Sequence, residues 1–185
     1  METPIHLRNP DILPEMLDHT SIISYFSKWY KVNTFIEFGV ASQATTSHVI
    51  KDCKRYIGVD IADVKDIHPK LEFYKMRTDE FIKNVLPSVG IVDMAFIDAN
   101  HNSDVVIEDF RGVFKYLIND GIIFLHDTFP IKEEYTKEYF CSDSYKVPDM
   151  IKKEFGDRVE MITIPIQPGL TIIRKLGRKL NHHIL

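Results

Sequence analysis

Residues 92–130 read VDMAFIDANHNSDVVIEDFRGVFKYLINDGIIFLHDTFP, and the hydrophobic pattern in them changes period twice. With Ile91 in front, the first part forms an eight-residue run (91–98, IVDMAFID) that is apolar at nearly consecutive positions. A strand buried on both faces needs that pattern, as in a parallel sheet covered by helices. Val106, Phe110, Val113, Phe114 and Leu117 then recur at i, i+4, i+7, i+8 and i+11, with Glu108, Asp109, Arg111 and Lys115 on the other faces. That is an amphipathic helix. The run 121–127 (GIIFLHD) returns to strand character. Strand, helix and strand in this order make a βαβ unit.

The flanking sequence extends the alternation. Upstream, 34–40 (TFIEFGV), 56–61 (YIGVDI) and 71–76 (LEFYKM) have strand length, and the first is again apolar at near-consecutive positions. Weaker helical patterns cover 43–53 and 79–86. Before them, Ile22, Ile23, Phe26, Trp29 and Tyr30 recur at helical spacing within 18–30, with Asp18, Thr20 or Ser21 as candidate caps. The polar, proline-marked start to about Pro14 reads as irregular. Downstream, 158–165 (RVEMITIP) and 170–176 (LTIIRKL) flank a turn at Gln167-Pro168-Gly169, which predicts an antiparallel hairpin. The expected fold is a single α/β domain over 1–185. Its core, about 31–176, is a doubly wound, mainly parallel sheet ending in a reversed strand.

Composition bounds the function. The chain of 185 residues is 44% hydrophobic and 27% charged, ordinary for one globular domain. A net charge of −4 disfavours nucleic acid as a partner. Arg174, Lys175, Arg178 and Lys179 make a local basic tail, read as solvated. Cys53 and Cys141 form no Cys-x-x-Cys spacing, so neither a disulfide framework nor a zinc site is expected. METPIHLRNPDILPE lacks the pattern of a secretory signal, and no apolar run nears the roughly 20 residues that span a bilayer. A cytoplasmic protein without membrane association is the default expectation.

In an open α/β sheet, ligands bind beyond the carboxyl ends of the strands. Those ends carry Glu37-Phe38-Gly39, Asp60, Thr78-Asp79, Asp98 with His101 beyond it, and His126-Asp127-Thr128. The loop Glu37–Ser42 reads as a cofactor cradle. Gly39 lets backbone approach a ligand, and the start of the following helix offers N–H donors. Asp60, 23 positions after Glu37, is placed to accept from ribose hydroxyls.

These residues, together with 92–130, resemble class I S-adenosylmethionine-dependent methyltransferases, and within them the branch of catechol-type and macrolide-sugar O-methyltransferases. The resemblance covers about 30–176. It implies a Rossmann-like seven-stranded sheet whose last strand is antiparallel, and S-adenosylmethionine as cofactor. Glu37 and Gly39 would face its methionine end, Asp60 would hold the ribose diol, and Thr78 and Asp79 would lie near the adenine. Ala41, Ser42, Ile61 and Asp98 would also be cofactor-binding. The family loop carries glycines two and four positions after the first; here those positions are Ala41 and Gln43.

Asp98, His126 and Asp127 are the expected ligands of a divalent cation, Mg²⁺ or, given an imidazole, Mn²⁺. In the metal-dependent members it holds adjacent hydroxyl oxygens of a small-molecule acceptor. His101, whose ordinary pKa is about 6.5, is the candidate general base beside Asp98. Tyr135, Tyr139, Phe140 and Tyr145, within 129–148, would border the acceptor pocket or cover the sheet edge. His68, His182 and His183 have no assigned role. Two other readings stand beside this one. A nicotinamide-dependent oxidoreductase is opposed by the missing G-x-G-x-x-G and the reversed hairpin. A non-catalytic cofactor-binding module would suit Ala41, Gln43 and the short chain. Oligomeric state is left open.

Overall fold

The computed structural model describes residues 18–166 and 168–177. The proline-marked start, Gln167 of the expected turn, and Arg178, Lys179, His182 and His183 lie outside the described residues. Helix α1 (His19–Tyr30) begins where Asp18 accepts a hydrogen bond from Ser21 N at 2.8 Å, and ends as Lys31 turns left-handed. Strand β1 (Thr34–Phe38) is buried on four consecutive positions. Helix α2 (Ala44–Val49), a 3-10 turn, β2 (Arg55–Asp60) and β3 (Leu71–Lys75) follow. The predicted 79–86 helix is two pieces, α3 (Thr78–Asn84) and α4 (Leu86–Val89), the second with a proline in its first turn. Strand β4 (Val92–Ile97), helix α5 (Ser103–Tyr116) and β5 (Leu117–His126) complete the decisive βαβ unit. β5 starts four residues earlier than the sequence pattern predicts, with a register shift against β4 between Val92 and Met94. Lys175 Nζ donates to the carbonyls of Phe114 and Leu117 at that junction.

Helix α6 (Val147–Phe155) leads to β6 (Val159–Ile164) and β7 (Leu170–Lys175). Among the described residues it is the one α-helix the sequence reading did not anticipate. Its buried Val147, Ile151 and Phe155 recur every four residues, and Pro148 sits in its first turn. The seven strands lie in the order β3-β2-β1-β4-β5-β7-β6. The first five are parallel, and β7 is antiparallel to both β5 and β6, as the hairpin reading requires. One face of the sheet packs on Phe81, Leu86, Val106, Phe110 and Ile151, from α3 to α6. The other packs on Ile23 and Val49, from α1 and α2. From β1 the chain moves outward to β2 and β3, then returns to the opposite side of β1 as β4. The order therefore reverses between β1 and β4, where a crevice opens at the strands' carboxyl ends. Among the described residues no helix is long and apolar enough to cross a membrane.

Candidate active site

At the crevice the loops after β1 and β4 touch. Asp98 N donates to Phe38 O at 2.8 Å, and Gly39 N to Val59 O at 2.9 Å. Gly39 has φ +90°, and a Cβ there would fall on the backbone of Asp98 and Ala99, so glycine is required twice over. Beyond it a turn closes through Gln43 N to Val40 O at 2.8 Å, with Ser42 exposed at its tip. Ala41 (φ 41°) and Gln43 (φ 62°) both take left-handed backbone, the conformation that suits the glycines of the family pattern. Ala41 N donates to Asp60 Oδ2 at 2.9 Å, while Asp60 Oδ1 accepts from Ala62 N at 2.8 Å.

Asp60, Ile61, Thr78 and Asp79 line one cleft. Met76, Arg77, Ala99 and Asn100 line it too, and the sequence reading passed over them. They follow the ends of β3 and β4, so strand-end position was the available signal. Asp79 is ion-paired to Arg77 at 2.9 Å. Glu37 lies inside the protein, 1% exposed, where its Oε2 accepts from Thr46 at 2.5 Å and Tyr56 at 2.8 Å. Burial raises its pKa to about 8 against the pull of those two bonds. Its hydrogen bonds join β1 to β2 and α2.

A cluster of opposite charges sits at the carboxyl ends of β4 and β5. Asp98, His101 and Asp127 bring two carboxylate oxygens and an imidazole nitrogen within 4.8 Å of one another. His101 Nε2 is 2.9 Å from Asp127 Oδ2 and 3.7 Å from Asp98 Oδ1. Its Nδ1 donates to the carbonyl of Phe140, which fixes the ring and leaves Nε2 for the carboxylates. The bonds to Asp127 and Asp98 push the His101 pKa up to about 10. His126, expected in the ligand set, is not in this group. As the last residue of β5 it turns to the α1 face, where its ring lies 4.3 Å from that of His19 and 5.9 Å from that of Phe96. It supports the cluster from behind, with Nδ1 3.1 Å from Asp98 Oδ1. Burial alone would raise the Asp98 pKa, but His126 and His101 hold it down to about 2. His19, which the sequence reading left out, has its pKa lowered by burial and by His126.

The segment after β5 folds over this cluster. Asp127 itself has φ 59°, an uncommon conformation for a non-glycine residue. Its carbonyl accepts from Ser144 Oγ at 2.7 Å, and its Oδ1 accepts from Cys141 Sγ at 3.4 Å. Burial and the Asp127 charge push the Cys141 thiol up to about 12, so it stays protonated. Asp143 takes two bonds from Ser103 at the start of α5, 2.7 and 2.9 Å. Tyr135 and Tyr139 each pack on Phe140, and Tyr145 lines a separate hollow with Phe129. The hollow bordering His101 is polar: Asn100, Asn102, Glu138 and Ser142, with Ala99. Ala99 and Asn100 line both this hollow and the Asp60 cleft.

With that geometry in place, a family model described as a methyltransferase domain matches residues 31–128. No curated protein matches the chain. Among solved structures the chain is similar to the S-adenosylhomocysteine-bound methyltransferase PaMTH1 of Podospora anserina. The TM-score is 0.67 at 16% identity, covering 92% of this chain and 83% of that one. The O-methyltransferase TomG of Streptomyces achromogenes, solved with S-adenosylmethionine, gives 0.65 at 14% identity, with coverages of 91% and 83%. MycE of the mycinamycin biosynthetic pathway, in complex with Mg, S-adenosylhomocysteine and mycinamycin VI, gives 0.65 at 14% identity, with coverages of 89% and 51%. At these identities the likeness is one of fold.

Proposed function

The chain belongs to the methyltransferase-domain family, matched over more than half its length, and on that premise we propose that it transfers the methyl group of S-adenosylmethionine to a hydroxyl oxygen of a small acceptor, with a divalent cation at Asp98, His101 and Asp127. One observation carries this reading. The Asp60 cleft and the polar hollow beside His101 share Ala99 and Asn100 in their walls. A donor lying along the first would present its sulfonium methyl to an acceptor at the second.

Asp60 is placed to accept from the ribose hydroxyls, since each of its oxygens takes one backbone N–H and keeps a second lone pair. The donor set suits a cation: two carboxylates and one imidazole whose other nitrogen is already held by a carbonyl. Imidazole favours Mn²⁺ or a later transition metal over Mg²⁺. When bound, the cation would polarise the acceptor hydroxyl and lower its pKa. His101 Nε2 then either holds a proton between the two carboxylates or gives that place to the cation. His126 keeps the Asp98 carboxylate turned into the crevice. In the transfer an O–C bond forms as the S–C bond breaks in line. S-adenosylhomocysteine leaves, and the acceptor proton is lost to a base or to solvent.

The test is turnover by the purified full chain on acceptors with adjacent hydroxyls. Methyl transfer should stop with chelator, return with Mn²⁺, and fall at least about 100-fold in Asp98→Asn. Full activity in chelator removes the cation from the account.

A further inference from the structure

Gln43 stands where the family pattern has a glycine, and its backbone is left-handed, with φ 62° and ψ 27°. It is the N-cap residue of α2, its carbonyl accepting from Ser47 N at 2.9 Å, but its side chain makes no capping bond. Its side chain instead crosses to the segment 61–70 that links β2 to β3. Nε2 donates to Lys65 O at 2.9 Å and to Asp66 O at 3.3 Å, and Oε1 accepts from His68 N at 3.0 Å. That segment holds no helix or strand, and its residues are exposed or half-buried. Its start is tied by Ala62 N to Asp60 and by the Lys75–Asp63 ion pair at 2.5 Å. Gln43 ties its middle to the loop after β1. Asp60 bridges the same two segments through Ala41 N and Ala62 N.

We propose that Gln43 is a positioning residue for the methyl donor: its amide clamps 61–70 onto the loop after β1, and so holds Ile61 and the Asp60 carboxylate ready at the nucleoside end of the crevice. This rests on the cofactor reading given above. A glycine at position 43 would relieve the backbone but could make none of the three side-chain bonds. Without them the donor has to order the segment as it binds, and affinity falls by that ordering cost. The reacting end of the crevice lies beyond Ala99 and Asn100, so the chemical step is untouched once the donor is bound.

The test compares wild type, Gln43→Ala and Gln43→Gly as full chains. Its readouts are S-adenosylhomocysteine titration, KM and kcat for S-adenosylmethionine, amide exchange at His68, and ligand-free Tm. Losing these bonds should raise Kd and KM about fivefold to tenfold. kcat should stay within about twofold, because the clamp acts on binding alone. His68 exchange should quicken in both variants, while the ligand-free Tm of Gln43→Gly holds or rises. Unchanged Kd and His68 exchange in both variants overturn the proposal. So does a fall in kcat that tracks a fall in Tm, the mark of a merely structural role. Wild type that binds no S-adenosylhomocysteine overturns the cofactor reading, and the clamp's role with it.

Discussion

Among the described residues, Asp109 and Glu37 are buried acidic side chains without an ion-pair partner, and each makes a prediction. Asp109 on α5 is 1% exposed and has no partner for Oδ2. Burial raises its pKa from 3.8 to about 7, only partly offset by a bond from Thr78. As pH rises across that window the unfolded chain releases a proton that the folded chain retains, so folding loses stability from about pH 4 to about pH 7. Asp109→Asn should therefore gain about 1–2 kcal/mol at pH 8 and little below pH 4. Urea unfolding at both pH values checks this, and an equal shift at each would deny it. Glu37 titrates with the same sign, up to about 8, so some slope should remain in the variant. Gly39 makes the opposite case. With φ +90° and the Asp98 backbone against its α-carbon, Gly39→Ala should cost about 2–4 kcal/mol. It should also abolish S-adenosylhomocysteine binding in any fraction that folds. Thermal unfolding and titration read the two effects separately.

Among the elements, the segment between β5 and α6 closes over the Asp98, His101 and Asp127 cluster. Beside two short 3-10 turns, it is held by side-chain bonds: Ser103 to Asp143, Ser144 to the Asp127 carbonyl, His101 to the Phe140 carbonyl. Asp143 lies at the start of α5, where a carboxylate is also favoured by the helix dipole. Asp143→Ala should cost about 1–3 kcal/mol and open 129–146 to protease, with donor affinity unchanged. Loss of donor binding as well would mean that this segment shapes the whole crevice. Strands β1, β4 and β5 were legible because burial on both faces leaves consecutive apolar residues. The α6 pattern was equally present in Val147, Ile151 and Phe155, but 129–148 was read only for its aromatic residues, and that segment took in the start of α6 at Val147 and Pro148. That His101, rather than His126, comes together with Asp98 and Asp127 could not be read. Which way a strand's last side chain turns depends on the backbone that follows, here Asp127 at φ 59°. Nor does periodicity show that Phe140, 39 residues away in sequence, orients His101.

For the molecule as a whole, sheet order does most of the positioning. The reversal between β1 and β4 brings Gly39 against Asp98, and parallel pairing of β4 with β5 brings Asp98 beside Asp127. The strand ends therefore told which residues converge, and the βαβ pattern told in which order. The sequence could not tell how tightly the loops bind, because Ala41 and Gln43 act through left-handed backbone and through contacts with 61–70. The most direct test of the central claim is calorimetric titration of the full chain with S-adenosylhomocysteine, and with NAD as the control. Saturable S-adenosylhomocysteine binding that is weakened at least about tenfold by Asp60→Ala, with no response to NAD, is the predicted result. Binding of NAD with none of S-adenosylhomocysteine would contradict it.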